Sequence, residues 1–288
     1  METPSQVPRC RNCGAGLTGR YCAECGQAAD VHVPSTRELV HEVLEGLTHS
    51  DSRLWRSLQS LWFRPGKLTV EYIDGRRAAY LPPFRLYLVL SVLCFLVVSL
   101  SHPQVKLVRL SDADRADANQ VDESACTSLS IDFLPHWTGR LQHACAAAVK
   151  DHGDSLAHLM VSALPKAMFI FLPLVAFLHM LMYWRPRHRY AAHLLFFLHL
   201  HAFFFSVVIL MLLSGDIADA WSAFKGADDW VANLLGWVMV AYTLLALRRV
   251  FHQAWLRTLV KLAALLVAYL GVLALTLIGV FIYAALQL

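Results

Sequence analysis

The chain has 288 residues, of which 57% are hydrophobic and only 16% charged, with a formal net charge of +4. That balance, with a positive mean hydropathy, moves the class from soluble to membrane, and residues 8–27, with only Arg9, Arg11, Arg20 and one aromatic, show no extended basic stripe for nucleic acid. The composition predicts an all-α integral membrane protein.

The first element in chain order is a cysteine cluster. Cys10, Cys13, Cys22 and Cys25 form two C-x2-C pairs eight residues apart, each second cysteine followed by a glycine, Gly14 or Gly26. A C-x2-C pair is badly placed for an internal disulfide and well placed to give two sulfurs to one tetrahedral ion, so residues 8–27 read as a zinc ribbon. Four thiolates leave no open coordination position. The expected Zn²⁺ is therefore structural, and it must supply the folding energy of a segment too short for a core, about 10–16 kcal/mol apparent in zinc peptides.

Residues 28–82 read as a cytosolic, interfacial helical region. Ser35-Thr36-Arg37-Glu38 is a capping box opening a helix to about Leu47, with Leu39, Val43, Leu44 and Leu47 on one face. Asp51 is placed to cap a second helix with Leu54, Trp55, Leu58, Leu61 and Trp62 on one side and Arg53, Arg56, Gln59 and Ser60 on the other. Its apolar side faces either the inner leaflet or the protein's own helices. Arg64-Pro65-Gly66-Lys67 breaks this helix, a short one runs from about Leu68 to Asp74, and Pro82-Pro83 opens the first span.

From there the charges thin out. Between Pro83 and Ser101 only Arg85 is charged, and none occurs from Ala167 to Trp184, Tyr190 to Gly215, Val231 to Leu247, or Leu262 onward. Five stretches near or above the roughly 18 residues that cross hydrocarbon predict about five transmembrane helices, near 83–101, 164–184, 191–213, 231–247 and 262–285, in a membrane domain over 83–288 with an outer loop at 102–163. Met-Glu-Thr-Pro-Ser-Gln is polar, so a cleavable signal peptide is not expected and the N-terminus stays in the cytosol. Arg185, Arg187 and Arg189 fall in one inner loop and Arg248, Arg249, Arg257 and Lys261 around the next, while Asp216, Asp219, Asp228 and Asp229 oppose the lone Lys225 in an outer one. The positive-inside bias then leaves the C-terminus outside.

This orientation puts Cys126 and Cys145 in the outer loop, where they are expected to form a disulfide, with two buried free thiols as the alternative, and Cys94 in the first span as a packing residue. His179, His193, His201 and Asn233 are candidate polar groups for a transport route, although His199 and His201 lie about 160° apart on a helix and His193 shares neither stripe. Asp151, His152, Asp154 and His158 offer ligands for a divalent ion or simply a hydrophilic loop. Lys166, near the outer surface, snorkels. Phosphate-loop, zinc-protease and nucleophile-elbow motifs are absent.

The ordered motifs Cys-x2-Cys-Gly, Gly19-Arg20-Tyr21-Cys22-Ala23-Glu24-Cys25-Gly26-Gln27, Arg64-Pro65-Gly66, Glu71-Tyr72-Ile73-Asp74-Gly75-Arg76-Arg77, Tyr80 and Pro83-Phe84 resemble a bacterial membrane family, domain of unknown function family 3667. The resemblance covers about residues 10–100 and implies an architecture and an inner-membrane address, without catalytic residues. The leading functional expectation is a non-enzymatic inner-membrane scaffold or sensor, with the ribbon docking a protein partner and the helices contacting membrane lipids. A small-solute or ion transporter is the alternative. A membrane-embedded enzyme acting on lipid comes third, for want of an acid/base pair at usable spacing.

Overall fold

The computed structural model describes residues 8–29, 52–100, 138–139, 142–143, 146, 154–183, 189–220 and 227–285. Among them are seven helices and no strand: α1 (Ser52–Phe63), α2 (Lys67–Ile73), α3 (Pro83–Leu100), α4 (Asp154–Met182), α5 (Tyr190–Ala220), α6 (Ala227–Phe251) and α7 (Trp255–Ala285). Contacts divide the chain into two units, Met1–Ser101 with Ala176–Leu265, and His102–Val175 with Leu266–Leu288. The second holds most of α4 and the end of α7, where Phe171 meets Tyr269 edge-on at 5.0 Å. The helix predicted from Ser35 to Leu47, the capping Asp51, the cysteines Cys126 and Cys145, and Asp151 and His152 lie outside the described residues, as do the side chains of Asp154 and His158.

Four helices are long and apolar enough to cross a membrane: Leu159–Met182, Tyr190–Gly215, Trp230–Phe251 and Trp255–Ala284. They make the chain a multi-pass membrane protein; Pro83–Val98 is a shorter apolar helix. Exposed Trp237, Leu256 and Val267 are stable in hydrocarbon, where outward apolar surface carries no penalty. Two helices begin well before the uncharged stretches that announced them. α4 starts at Asp154 and α7 at Trp255, taking Arg257 and Lys261 into the helix. Lys261 is accommodated locally, its Nζ 3.6 Å above the Tyr183 ring, and Trp255 at the start of α7 covers the Arg248 guanidinium of α6 at 3.9 Å.

In the first unit α3 lies along α5, and α6 packs on the other side of α5. Aromatic rings fill these seams: Tyr87 and Phe95 both meet Phe205, and Phe203 stacks on Tyr242 at 3.7 Å. The short helices α1 and α2 pack directly on these long ones. On α1, Leu61 of the apolar side is buried and Trp55 of the same side is 75% exposed, while Ser60, placed on the opposite side, is buried. Ser57 is buried too, and its hydroxyl donates to the Arg53 carbonyl at 2.8 Å and accepts the Leu81 amide at 2.9 Å. A satisfied hydroxyl removes the penalty that kept serine out of the expected core. Trp62 still faces inward, edge-on to Phe203 at 5.2 Å.

The Arg64-Pro65-Gly66 break is a clasp on α6. Arg249 Nη1 donates to the Pro65 carbonyl at 2.7 Å. Gly66 has φ of 72° and lies so close to α6 that an added Cβ would come within 3.0 Å of the Ala246 carbonyl oxygen and 3.1 Å of its Cα. Both obstacles are backbone and cannot swing aside. Gly66→Ala is accordingly expected to destabilise the protein by about 1–3 kcal/mol, from left-handed strain and overpacking together, read as a lower unfolding temperature in detergent. One turn into α2, buried Thr69 bonds His199 on α5, Oγ1 to Nδ1 at 3.0 Å.

Candidate metal centre

The two cysteine pairs are built by one hydrogen-bond pattern repeated at an offset of twelve residues. The Cys10 amide donates to the Ala15 carbonyl, the Gly14 amide to Cys10 and the Leu17 amide to Pro8; the Cys22 amide donates to Gln27, the Gly26 amide to Cys22 and the Ala29 amide to Arg20, all at 2.7–2.9 Å. Antiparallel bridges Arg9–Gly16 and Tyr21–Ala28 keep the same offset. Gly14 and Gly26 take positive φ, 80° and 71°, which closes each turn behind its second cysteine.

The sulfurs converge across the two halves. Cys10 and Cys25 Sγ are 3.6 Å apart, Cys13 and Cys22 Sγ are 3.5 Å apart, and all four lie within 4.8 Å of one another. A tetrahedral ion with metal–sulfur bonds of about 2.3 Å separates its sulfurs by about 3.8 Å, so the donor set fits a single metal ion. Its electrostatics are uneven. The Cys13 amide, and after it burial and the Asn12 amide in opposite senses, leave the Cys10 thiol at about 7. Cys13, although the Ala15 amide draws it down, is pushed up to about 12 by the Cys22 sulfur and by desolvation. Of these two, Cys10 is the sulfur better prepared to lose its proton to an arriving cation.

Gln27, two residues past the last cysteine, fastens this module to the helices. Its side chain is buried; Nε2 donates to the Gly75 carbonyl at 2.7 Å, and Oε1 accepts the amides of Arg77 at 3.0 Å and Ala78 at 3.2 Å. The turn it grips is braced from α2. Arg76 pairs with Glu71 and with Asp74 Oδ2, the latter at 2.8 Å, while Arg77 lies 4.2 Å over the Tyr72 ring and donates to the Tyr72 carbonyl. The motif reading contained Gln27 without giving it a role. Its only sequence signal is a polar side chain beside a metal ligand, which names no partner 48 residues away.

The structure brings two of the four candidate transport residues together. His179 and His193 bond Nδ1 to Nδ1 at 2.8 Å, fully buried, among Tyr183, Phe196, Phe197 and Phe251. For two neutral rings that bond fixes opposite tautomers, the donor ring with a bare Nε2 and the acceptor ring with a protonated one. His179 Nε2 and the Tyr183 hydroxyl are buried with no hydrogen-bond partner among the described residues. His201 does not join them, its Nδ1–H donating to the Phe197 carbonyl one turn back at 2.9 Å, and Asn233 is exposed. Among the described residues the four cysteines are the one cluster of three or more metal-ligating side chains.

No curated protein and no solved structure matches the chain. Residues 51–95 match the model of the family described as Protein of unknown function (DUF3667), a segment holding α1, α2 and most of α3, and this match supports the resemblance carried by the motifs from Arg64 to Phe84.

Proposed function

We propose that the chain is a bacterial inner-membrane scaffold or sensor protein, whose cytosolic zinc ribbon docks a protein partner while five spans, α3 to α7, anchor it. The observation that carries this reading is the Gln27 contact, which fixes the ribbon to the turn before α3 while leaving Arg9, Arg20 and Tyr21 exposed to a partner. A module so oriented is suited to binding. Four sulfurs with no oxygen or nitrogen ligand favour Zn²⁺, which supplies folding energy there and keeps no position open for a substrate. α3, with 18 residues, is about 27 Å long and so close to the hydrocarbon thickness. The acid-poor arginines at 185–189 and 248–257 support a cytosolic N-terminus and an outer C-terminus.

Deletion of residues 10–26, or charge reversal at Arg76 and Arg77, is expected to abolish the phenotype that loss of the gene produces, with protein still in the membrane fraction. Retention of function without the ribbon would remove the proposal. Topology has its own check. A cysteine at Leu288 should react with a membrane-impermeant maleimide added outside intact spheroplasts, and one at Arg187 only after lysis; reversal or coincidence of the two would overturn five crossings. The transporter reading keeps one observation in its favour, the buried His179–His193 pair.

A further inference from the structure

We propose that the four-cysteine centre is a metal-operated latch, in which Zn²⁺ binding sets Gln27 and Gln27 holds the 75–78 turn that leads from α2 into α3. The inference rests on the ribbon reading above and adds to it what the ribbon regulates. Within residues 8–29 only Cys10, Cys22 and Gln27 are buried, so among the described residues the module has no apolar core and relies on the metal, the turn hydrogen bonds and the Gln27 contact. The last of those turns closes on Gln27 itself, through the Cys22 amide to the Gln27 carbonyl at 2.8 Å. The position of the glutamine backbone is therefore tied to a metal ligand, and its side chain is tied to the helices.

The grip is chemically complete, since a carboxamide offers both a donor for the Gly75 carbonyl and an acceptor for two amides. Beyond the turn, the Leu81 amide is held by Ser57 of α1, and α2 is seated on α5 and α6 through Thr69 and Gly66. The segment between α2 and α3 is thus fixed at Leu81 and, through the Gly75 and Arg76 amides, on α2, and the Arg77 and Ala78 amides are its metal-dependent part. Loss of the metal frees those two amides at the approach to α3. A chain built this way reports the supply of a thiophilic divalent cation to its membrane helices.

Hydrogen exchange read by mass spectrometry on the full chain in lipid nanodiscs tests the latch. Stripping Zn²⁺ with a chelator should speed exchange of the Arg77 and Ala78 amides by about tenfold, the scale expected for a lost hydrogen bond, and adding back ZnCl2 alone should restore it. The neighbouring amides of Asp74, Gly75 and Arg76, bonded to Val70, Tyr72 and Glu71 of α2, should keep their rates. Gln27→Ala should reproduce the acceleration with the metal content unchanged. Gln27→Glu, which keeps an acceptor for both amides, should recover their protection. Equal exchange at Arg77 and Ala78 with and without bound Zn²⁺ would overturn the latch and leave the ribbon standing. Failure to bind Zn²⁺ at all would remove both. Deprotection spread through α2 and α3 in Gln27→Ala, unrelieved in Gln27→Glu, would assign Gln27 a purely structural part and also overturn the latch.

Discussion

Replacing Cys10 or Cys25 by serine is expected to empty the metal centre and unfold residues 8–29 outright. The two sulfurs come from different halves of the repeat and meet at 3.6 Å, so losing either disconnects one half from the other. No apolar core compensates, and the free energy at stake is about 10–16 kcal/mol apparent for a structural zinc site of this size, far above any single packing contact in the helices. Elemental analysis of purified protein should fall from one Zn²⁺ per chain to none, and brief trypsin treatment should cut at Arg20 and Arg11 only in the variants. Cys94→Ala, in α3 and remote in sequence from the cluster, should leave both readouts unchanged. A full complement of metal in Cys10→Ser would refute the four-sulfur site.

Single and paired substitutions of the buried histidines are expected to disagree sharply. His179→Leu deprives His193 Nδ1 of its 2.8 Å bond, and His193→Leu does the same to His179. Each should lower stability by about 1–3 kcal/mol, the scale for a buried polar atom that loses its partner. The double substitution removes both polar edges and puts two aliphatic side chains among Phe196, Phe197 and Phe251, so it should cost less than the sum and approach the wild-type unfolding temperature. Thermal melts of the three variants in one detergent close the cycle. Additive losses would show that the rings contribute separately and that their hydrogen bond is incidental. The same variants bear on function. If the double variant folds yet abolishes the activity lost with the gene, while deletion of residues 10–26 does not, transport rises above docking.

The parts of this chain legible in its sequence are those where chemistry is local. The C-x2-C-G spacing alone brings out the cysteine cluster, because two thiols three residues apart share one ion whatever surrounds them. The short helix at 67–73 and the Pro83 start follow from Arg64-Pro65-Gly66 and Pro82-Pro83, whose backbone limits are intrinsic. What stayed hidden depends on a second segment. The helical stripe of α1 could not show that Ser57 would be satisfied by Leu81, and without that partner burying a serine looks unfavourable. Spacing along one helix argued against a histidine cluster; the pairing of His179 with His193 is made between α4 and α5, where angles on a single helix carry no information. The early start of α7 was missed because Lys261 marked an end that the Tyr183 face accommodates.

The unequal lengths of the long helices have a mechanical consequence for the lipid around them. The uncharged run Val231–Leu247 has 17 residues and Leu262–Ala284 has 23, about 26 Å and 35 Å at the helical rise, against a hydrocarbon thickness of about 30 Å. The first falls short by about 4 Å and draws the bilayer thinner around it. The second exceeds it by about 5 Å and must lean, protrude or thicken its surroundings, each at a fraction of a kcal/mol per Å. Bilayer thickness therefore acts on the last two long helices in opposite senses, and a change in acyl-chain length relieves one of them while straining the other.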